Sequence, residues 1–382
     1  MLAVAIGWQV YSFRRNPLDL GLVGLAEFLP LPILALPAGQ IADRLPRRLV
    51  TAAANGLNVL IALLLVVVTL DGARTLWPFL VIAAITGVSQ VVGNPAARAM
   101  TPELVPAELI AGAVALRSVA GQIGVIAGPA LGGVIFSVEP VAVYATAAAL
   151  LFASLVAILL LPRMPRAAFA GEPVNWDNLV AGVRFVLHTR MLLGAISLDL
   201  FAVLLGDSIA LAPVFARSIL HIGPIGLGLL RTAPSVGALT AAVLLARRPL
   251  RTAAGPTLMT VVALFGVGMI VFGFSRWLPL SLAALVATGF LDMISVNIRS
   301  TTVTLLTPQA LQGRVNAVEW VFVSASNELG AFEAGALARL AGTVPAVVAG
   351  GAAMIAIAAT WRRLFPSLAR MGRLEDLRPE PA

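Results

Sequence analysis

The chain has 382 residues, 26 of them basic against 18 acidic, a net charge of +8, and no cysteine. Disulfides, thiolate metal sites and thiol catalysis are therefore excluded, and because every basic residue is arginine, no lysine-bearing phosphate loop can form. Charged residues make up only 12% of a chain that is 59% hydrophobic, too few to cover a soluble domain. Its apolar blocks approach the roughly 20 residues needed to cross a bilayer core about 30 Å thick.

Met1 to Phe13 comes first, apolar but about half a span, with no basic leader and no small-residue cleavage site. A helix starting at Met1 would leave unpaired N–H groups and a charged amine in hydrocarbon. The natural protein is therefore expected to begin upstream. Spans follow at 20–42, 49–70, 76–97, 109–136, 140–161, 191–215, 225–246, 255–275, 278–299, 315–338 and 343–361.

The connectors alternate in charge. One set holds Arg44, Arg47, Arg48, Arg98, Arg163, Arg166, Arg184, Arg190, Arg247, Arg248, Arg251, Arg299, Arg314 and the arginines from Arg362 on. The other holds only Arg14, Arg15, Arg74, Arg217, Arg276 and Arg339. The positive-inside rule assigns the richer set, and with it the C-terminus, to the cytoplasm. Arginines placed this way serve topology, so nucleic acid is not the expected partner. A Pro-, Gly- and charge-bearing connector at 162–190, with an amphipathic stretch at 178–187, divides an N-terminal half (1–161) from a C-terminal half (191–361) and a tail (362–382). With the short first block, each half holds six helices, the plan of an all-α transporter that rocks about a midplane site.

Between the second and third spans, Gly39-Gln40-Ile41-Ala42-Asp43-Arg44-Leu45-Pro46-Arg47-Arg48 resembles the G-x-L-A-D-R-x-G-R-[RK] loop of the major facilitator superfamily. It departs at Pro46, where the family commonly has glycine. The resemblance implies a conformational latch, with Asp43 facing the N-terminus of the eleventh helix in one state. An ordinary charged turn is the plainer alternative. Gly124, Gly128, Pro129, Gly132 and Gly133 look like the superfamily's antiporter motif, and their spacing also suits close helix packing. Ala5 to Tyr11, Asn94-Pro95-Ala96, Leu193 to Phe201, Gly313-Arg314-Val315 and Ser326 to Gly330 resemble the branch of enterobactin exporters and related secretion effectors.

Charges within spans are costly and mark cavities or partners. The substrate or coupling candidates are Glu27, Asp199, Asp207, Asp292, Glu328 and Glu333. Glu328, nearest mid-span, leads them. Gln9, with Trp8 and Tyr11, would line the cavity if the first helix plays its usual family role. Each carboxylate has a bland alternative as half of a static ion pair. Glu319, Ser326 and Glu333 form one stripe, and Asp292 and Arg299 share a face.

The reading is a monomeric, multi-pass secondary transporter of the bacterial inner membrane, with its C-terminus inside. It needs no cofactor or metal and is not an enzyme. It is expected to export a small hydrophobic or siderophore-like compound against an inward proton flow, with binding between the halves and alternating access. An importer or uniporter on the same fold is one alternative. An inactive transporter-like scaffold is the other.

Overall fold

The computed structural model describes residues 1–34, 45–72, 74–162, 176–206, 208–248, 250 and 252–377. Gly39, Asp43 and Arg44 of the latch motif, and the candidate Asp207, lie outside the described residues. The secondary structure is helical, with no strand among the described residues. Backbone groups in hydrocarbon must be satisfied within their own segment, and an α-helix does so.

In chain order the helices are α1 (Leu2–Arg14), α2 (Pro17–Phe28), α3 (Arg47–Leu70), α4 (Trp77–Met100), α5 (Ile110–Val138), α6 (Pro140–Leu160) and α7 (Trp176–His188). There follow α8 (Arg190–Gly206), α9 (Gly223–Arg247), α10 (Ala254–Phe274), α11 (Leu278–Leu306), α12 (Gln309–Ala341) and α13 (Thr343–Leu364). Among the described residues, ten segments are long and apolar enough to cross a membrane, the first being Pro17–Leu34. α1 is too short for that set, and α12, at 33 residues, carries Arg314, Glu319, Glu328, Glu333 and Arg339. Its length, about 50 Å at 1.5 Å per residue, exceeds the bilayer core.

Three expected boundaries change. α11 runs to Leu306 rather than ending at 299, because no glycine or proline interrupts 290–307 and Pro308 ends it. Arg299 is therefore inside a helix and not in a connector. α12 likewise extends past both ends of 315–338, which places Arg314 in its first two turns. The span from 191 is broken: after α8 come a 3-10 turn (Ile209–Leu211), a short α-turn (Ala212–Val214) and a π-turn (Phe215–Ile219). The amphipathic stretch at 178–187 is α7.

The chain forms two compact units. One comprises residues 1–15, 22–175 and 223–228, the other 16–21, 176–222 and 229–382. In the first, α3 packs on α4 and α6, and two arginines at the start of α3 fix that arrangement. Arg47 donates to the Ala99 carbonyl at 3.1 Å, near the end of α4. Arg48 donates to the carbonyls of Ile158, at 3.2 Å, and of Leu159, at the end of α6. Cations at helix C-termini satisfy orphan carbonyls and oppose the negative dipole end.

The antiporter-like glycines divide by surroundings. A Cβ on Gly124 would meet nothing within 4 Å, whereas one on Gly133 would lie 2.5 Å from the Pro224 carbonyl oxygen. On Gly132 it would come 2.9 Å from Met1 Cα, and on Gly128 3.3 Å from the Met1 nitrogen. Pro129 sits within α5, and its carbonyl oxygen is 2.7 Å from where a Cβ on Gly228 would stand.

In the second unit, α10 packs on α11 and α13, and α8 on α12 and α13. After α13 the chain turns back beneath α10. The amides of Ala254 and Gly255, in the first turn of α10, donate to the carbonyls of Gly372 at 2.8 Å and Met371 at 3.0 Å. Leu368 and Met371 are buried there, and the Thr302 hydroxyl faces the Met371 sulfur at 3.7 Å.

Candidate functional site

The second unit contains a cluster of opposite charges on three helices. Asp199 of α8 forms a salt bridge with Arg299 of α11, and the two side chains are only 12% and 8% exposed. Arg299 Nε also donates to Ser295 Oγ at 3.2 Å, one turn earlier on the same helix. Glu319 of α12 lines a narrow cleft with Asp199, Arg299 and Phe322, and it interacts electrostatically with both charged neighbours. On the other side of the pair, Asp199, Arg299, Asp292, Ser295 and Asn327 border a cavity of about 100 Å³ whose walls are otherwise apolar. That space admits water or a proton path rather than a drug-sized molecule, which needs about 300 Å³ or more.

Local sequence explains the placement. Asp292, Ser295 and Arg299 stand at i, i+3 and i+7, one face of α11. Asp199 is set by its helix: Trp361 of α13 donates its indole N–H to the Gly194 carbonyl at 3.2 Å, with Ser197 Oγ at 3.3 Å. The Trp361 ring also packs on Phe201 with centroids 5.4 Å apart. Isolated, either charge would carry the desolvation cost of an ion in a low-dielectric interior; together they offset it.

The other sequence-derived candidates lie apart from this cluster. Gln9 is tied into a three-helix polar chain. Its carbonyl accepts from buried Tyr144 of α6 at 2.7 Å, and its amide donates to Thr69 of α3 at 3.2 Å, whose hydroxyl donates to the Leu65 carbonyl at 2.7 Å. Glu27 accepts from Gln90 of α4, and the two helices meet closely because a Cβ on Gly87 would sit 2.1 Å from the Glu27 carbonyl oxygen. Glu328 and Glu333 are half-buried on α12, and Glu328 has a partner of its own. Ser326 is fully buried and bonds back to the Phe322 carbonyl at 2.7 Å. The structure thus brings two candidates, Asp199 and Asp292, to the border of one cavity, and pairs the first of them with Arg299. It adds Glu319, which the sequence placed on a stripe but not in a site. Among the described residues no group of three His, Asp or Glu side chains assembles as a metal site.

The fold has many solved counterparts. A mutant of the nucleoside transporter NupG superposes with a TM-score of 0.75 at 14% identity, covering 95% of this chain and 94% of that one. This is an all-helical fold of the kind major facilitator transporters share, here with ten described segments long and apolar enough to cross a membrane. A sequence profile of the transmembrane secretion effector family matches residues 1–375, and the chain belongs to that family. Its relatives are transporters rather than enzymes. The multidrug efflux pump Tap of Mycolicibacterium fortuitum is 28% identical over 352 residues, spanning 89% of this chain and 85% of that protein. The enterobactin exporter EntS of Citrobacter koseri is 28% identical over 326 residues, with 83% and 76% covered.

Proposed function

We propose that the protein exports a small, partly hydrophobic or siderophore-like compound across the bacterial inner membrane by alternating access, driven by inward proton flow. Its C-terminal tail lies in the cytoplasm, and it works as a monomer. The observation that carries the coupling is the buried Asp199–Arg299 pair with Glu319 beside it. Arginine stays protonated at any physiological pH, so within the cleft one fixed positive charge faces the two carboxyl groups of Asp199 and Glu319, while Asp292 borders the cavity on the other side and has an interaction of its own. With both carboxyls ionised the set carries one net negative charge; with one protonated it is neutral. A neutral set can be sealed from water at low cost. A charged one in the membrane interior costs several kcal/mol, at the order of magnitude of an uncompensated ion, and calls for water or a compensating charge. Taking up and releasing a single proton would therefore bias which states of the helices around it are closed. Direction toward export is supported by the relatives, an efflux pump and an exporter, and by the glycine-rich α5.

The test uses protein reconstituted into proteoliposomes, with lipophilic dyes and catecholate siderophores as cargo and an imposed pH gradient. Accelerated transport coupled to alkalinisation of the acidic compartment is expected. Transport that ignores the gradient would favour a uniporter. No transport of any cargo, with the protein folded, would favour a scaffold.

A further inference from the structure

The outer face of the second unit carries a feature that the coupling cluster does not use. α10 and α13 meet at backbone contact where a Cβ on Gly266 would stand 2.4 Å from the Gly351 carbonyl oxygen. Beyond that crossing, toward the tail, a groove of about 360 Å³ opens between them. Its walls include Met259, Ala263 and Leu264 of α10 and Ile355 and Ala359 of α13, and Arg362 lies at its end. The alanines leave room where larger side chains would close the seam. The polar atoms nearby are already spoken for: Thr260 bonds to the Pro256 carbonyl at 2.8 Å, and the first amides of α10 are taken by Met371 and Gly372. That leaves one guanidinium. Arg362 is exposed, and among the described residues it pairs with no carboxylate. Arg363, Arg370, Arg373 and Glu375, which follow it in the chain, are also exposed.

An apolar channel of this size ending on an arginine matches an acyl chain continuous with a phosphate, and basic pockets between membrane helices recognise anionic headgroups. We propose that the α10–α13 groove binds one anionic phospholipid of the surrounding bilayer, its chain along the groove and its phosphate on Arg362. Lipid rather than a free anion is the occupant because every other wall of the groove is apolar or internally satisfied.

The full chain, purified in mild detergent, is titrated with phosphatidylglycerol or with phosphatidylcholine of the same chains and read by native mass spectrometry. One phosphatidylglycerol should be retained in preference to phosphatidylcholine. Arg362→Gln should weaken that retention about fivefold, the worth of one arginine near an anionic surface. Ala359→Trp, at an exposed position that fills the groove, should displace both lipids while the protein still elutes as a single folded species. Wild-type retention in both variants would overturn the site. Equal loss in Arg363→Gln would also overturn it, since that marks a diffuse basic surface. Displacement by inorganic phosphate at the lipid's own concentration would assign the arginine to a free anion instead.

Discussion

Arg299 is the residue on which the sequence and the structure differ most instructively. Read as a connector arginine, it served to orient the chain and was noted to share a face with Asp292. Inside α11 it becomes the fixed charge that pairs with Asp199 beside Glu319, with Asp292 on the border of the neighbouring cavity. The signal was present in the uninterrupted stretch from 290 to 307, where threonines and serines look like a helix end yet contain no breaker. What no spacing could provide is the pairing across helices, since Asp199 and Arg299 are far apart in sequence. If the pair takes part in coupling, Asp199→Asn and Arg299→Gln should each reduce gradient-driven efflux at least about tenfold and lower stability by about 3–5 kcal/mol, the cost of leaving one buried charge unpaired. Combining the two should restore thermal stability in detergent but not efflux; recovery of both would reduce the pair to a static brace. Glu328→Gln tests the rival carboxylate from the same measurements. It should abolish efflux with expression intact if Glu328 carries the proton or contacts cargo, and unchanged efflux with an unchanged pH profile would remove it from the site.

At the scale of elements, helix positions were legible because a bilayer imposes one rule on every span: about 20 apolar residues bounded by charge. Where that rule is relaxed, the reading fell short. α12 tolerates five charged residues and exceeds the core thickness, and the segment after Asp199 breaks into 3-10 and π turns that periodicity does not announce. The glycines of α5 show how a motif can be read correctly as a pattern and still conceal unequal members. Gly133 abuts the Pro224 carbonyl, whereas Gly124 faces open space. Gly133→Ala should therefore cost about 1–3 kcal/mol through overpacking and depress transport. Gly124→Ala should be neutral or stabilising by up to about 1 kcal/mol, because alanine is the better helix former. Thermal unfolding of the purified variants separates the cases, and equal loss at the two positions would mean that packing at Pro224 is not what the motif serves.

The whole chain is a transporter of the transmembrane secretion effector family, and its two compact units do not follow chain order strictly. The sequence divided it at the connector 162–190. The structure assigns the starts of α2 and α9 to the opposite unit, because Gly21 packs at the Phe332 backbone and Gly228 at that of Pro129. Such close approaches depend on an absent side chain and leave no trace in hydropathy. The return of the chain beneath α10 was likewise not anticipated, since the arginines of the tail served only to assign it to the cytoplasm. Removing residues 365–382 should expose the first amides of α10 and the cavity vacated by Leu368. A drop in melting temperature, with faster hydrogen exchange at Ala254 and Gly255, is expected; unchanged exchange there would show that the tail is dispensable to that helix. The same contact sets an order of events during biosynthesis. α10 is made before the protein partners of its first two amides, the carbonyls of residues 371 and 372, which leave the ribosome tunnel only after α13. The second unit therefore cannot complete its fold while those residues are still being made, and it depends until then on whatever shields a half-finished bundle in the bilayer.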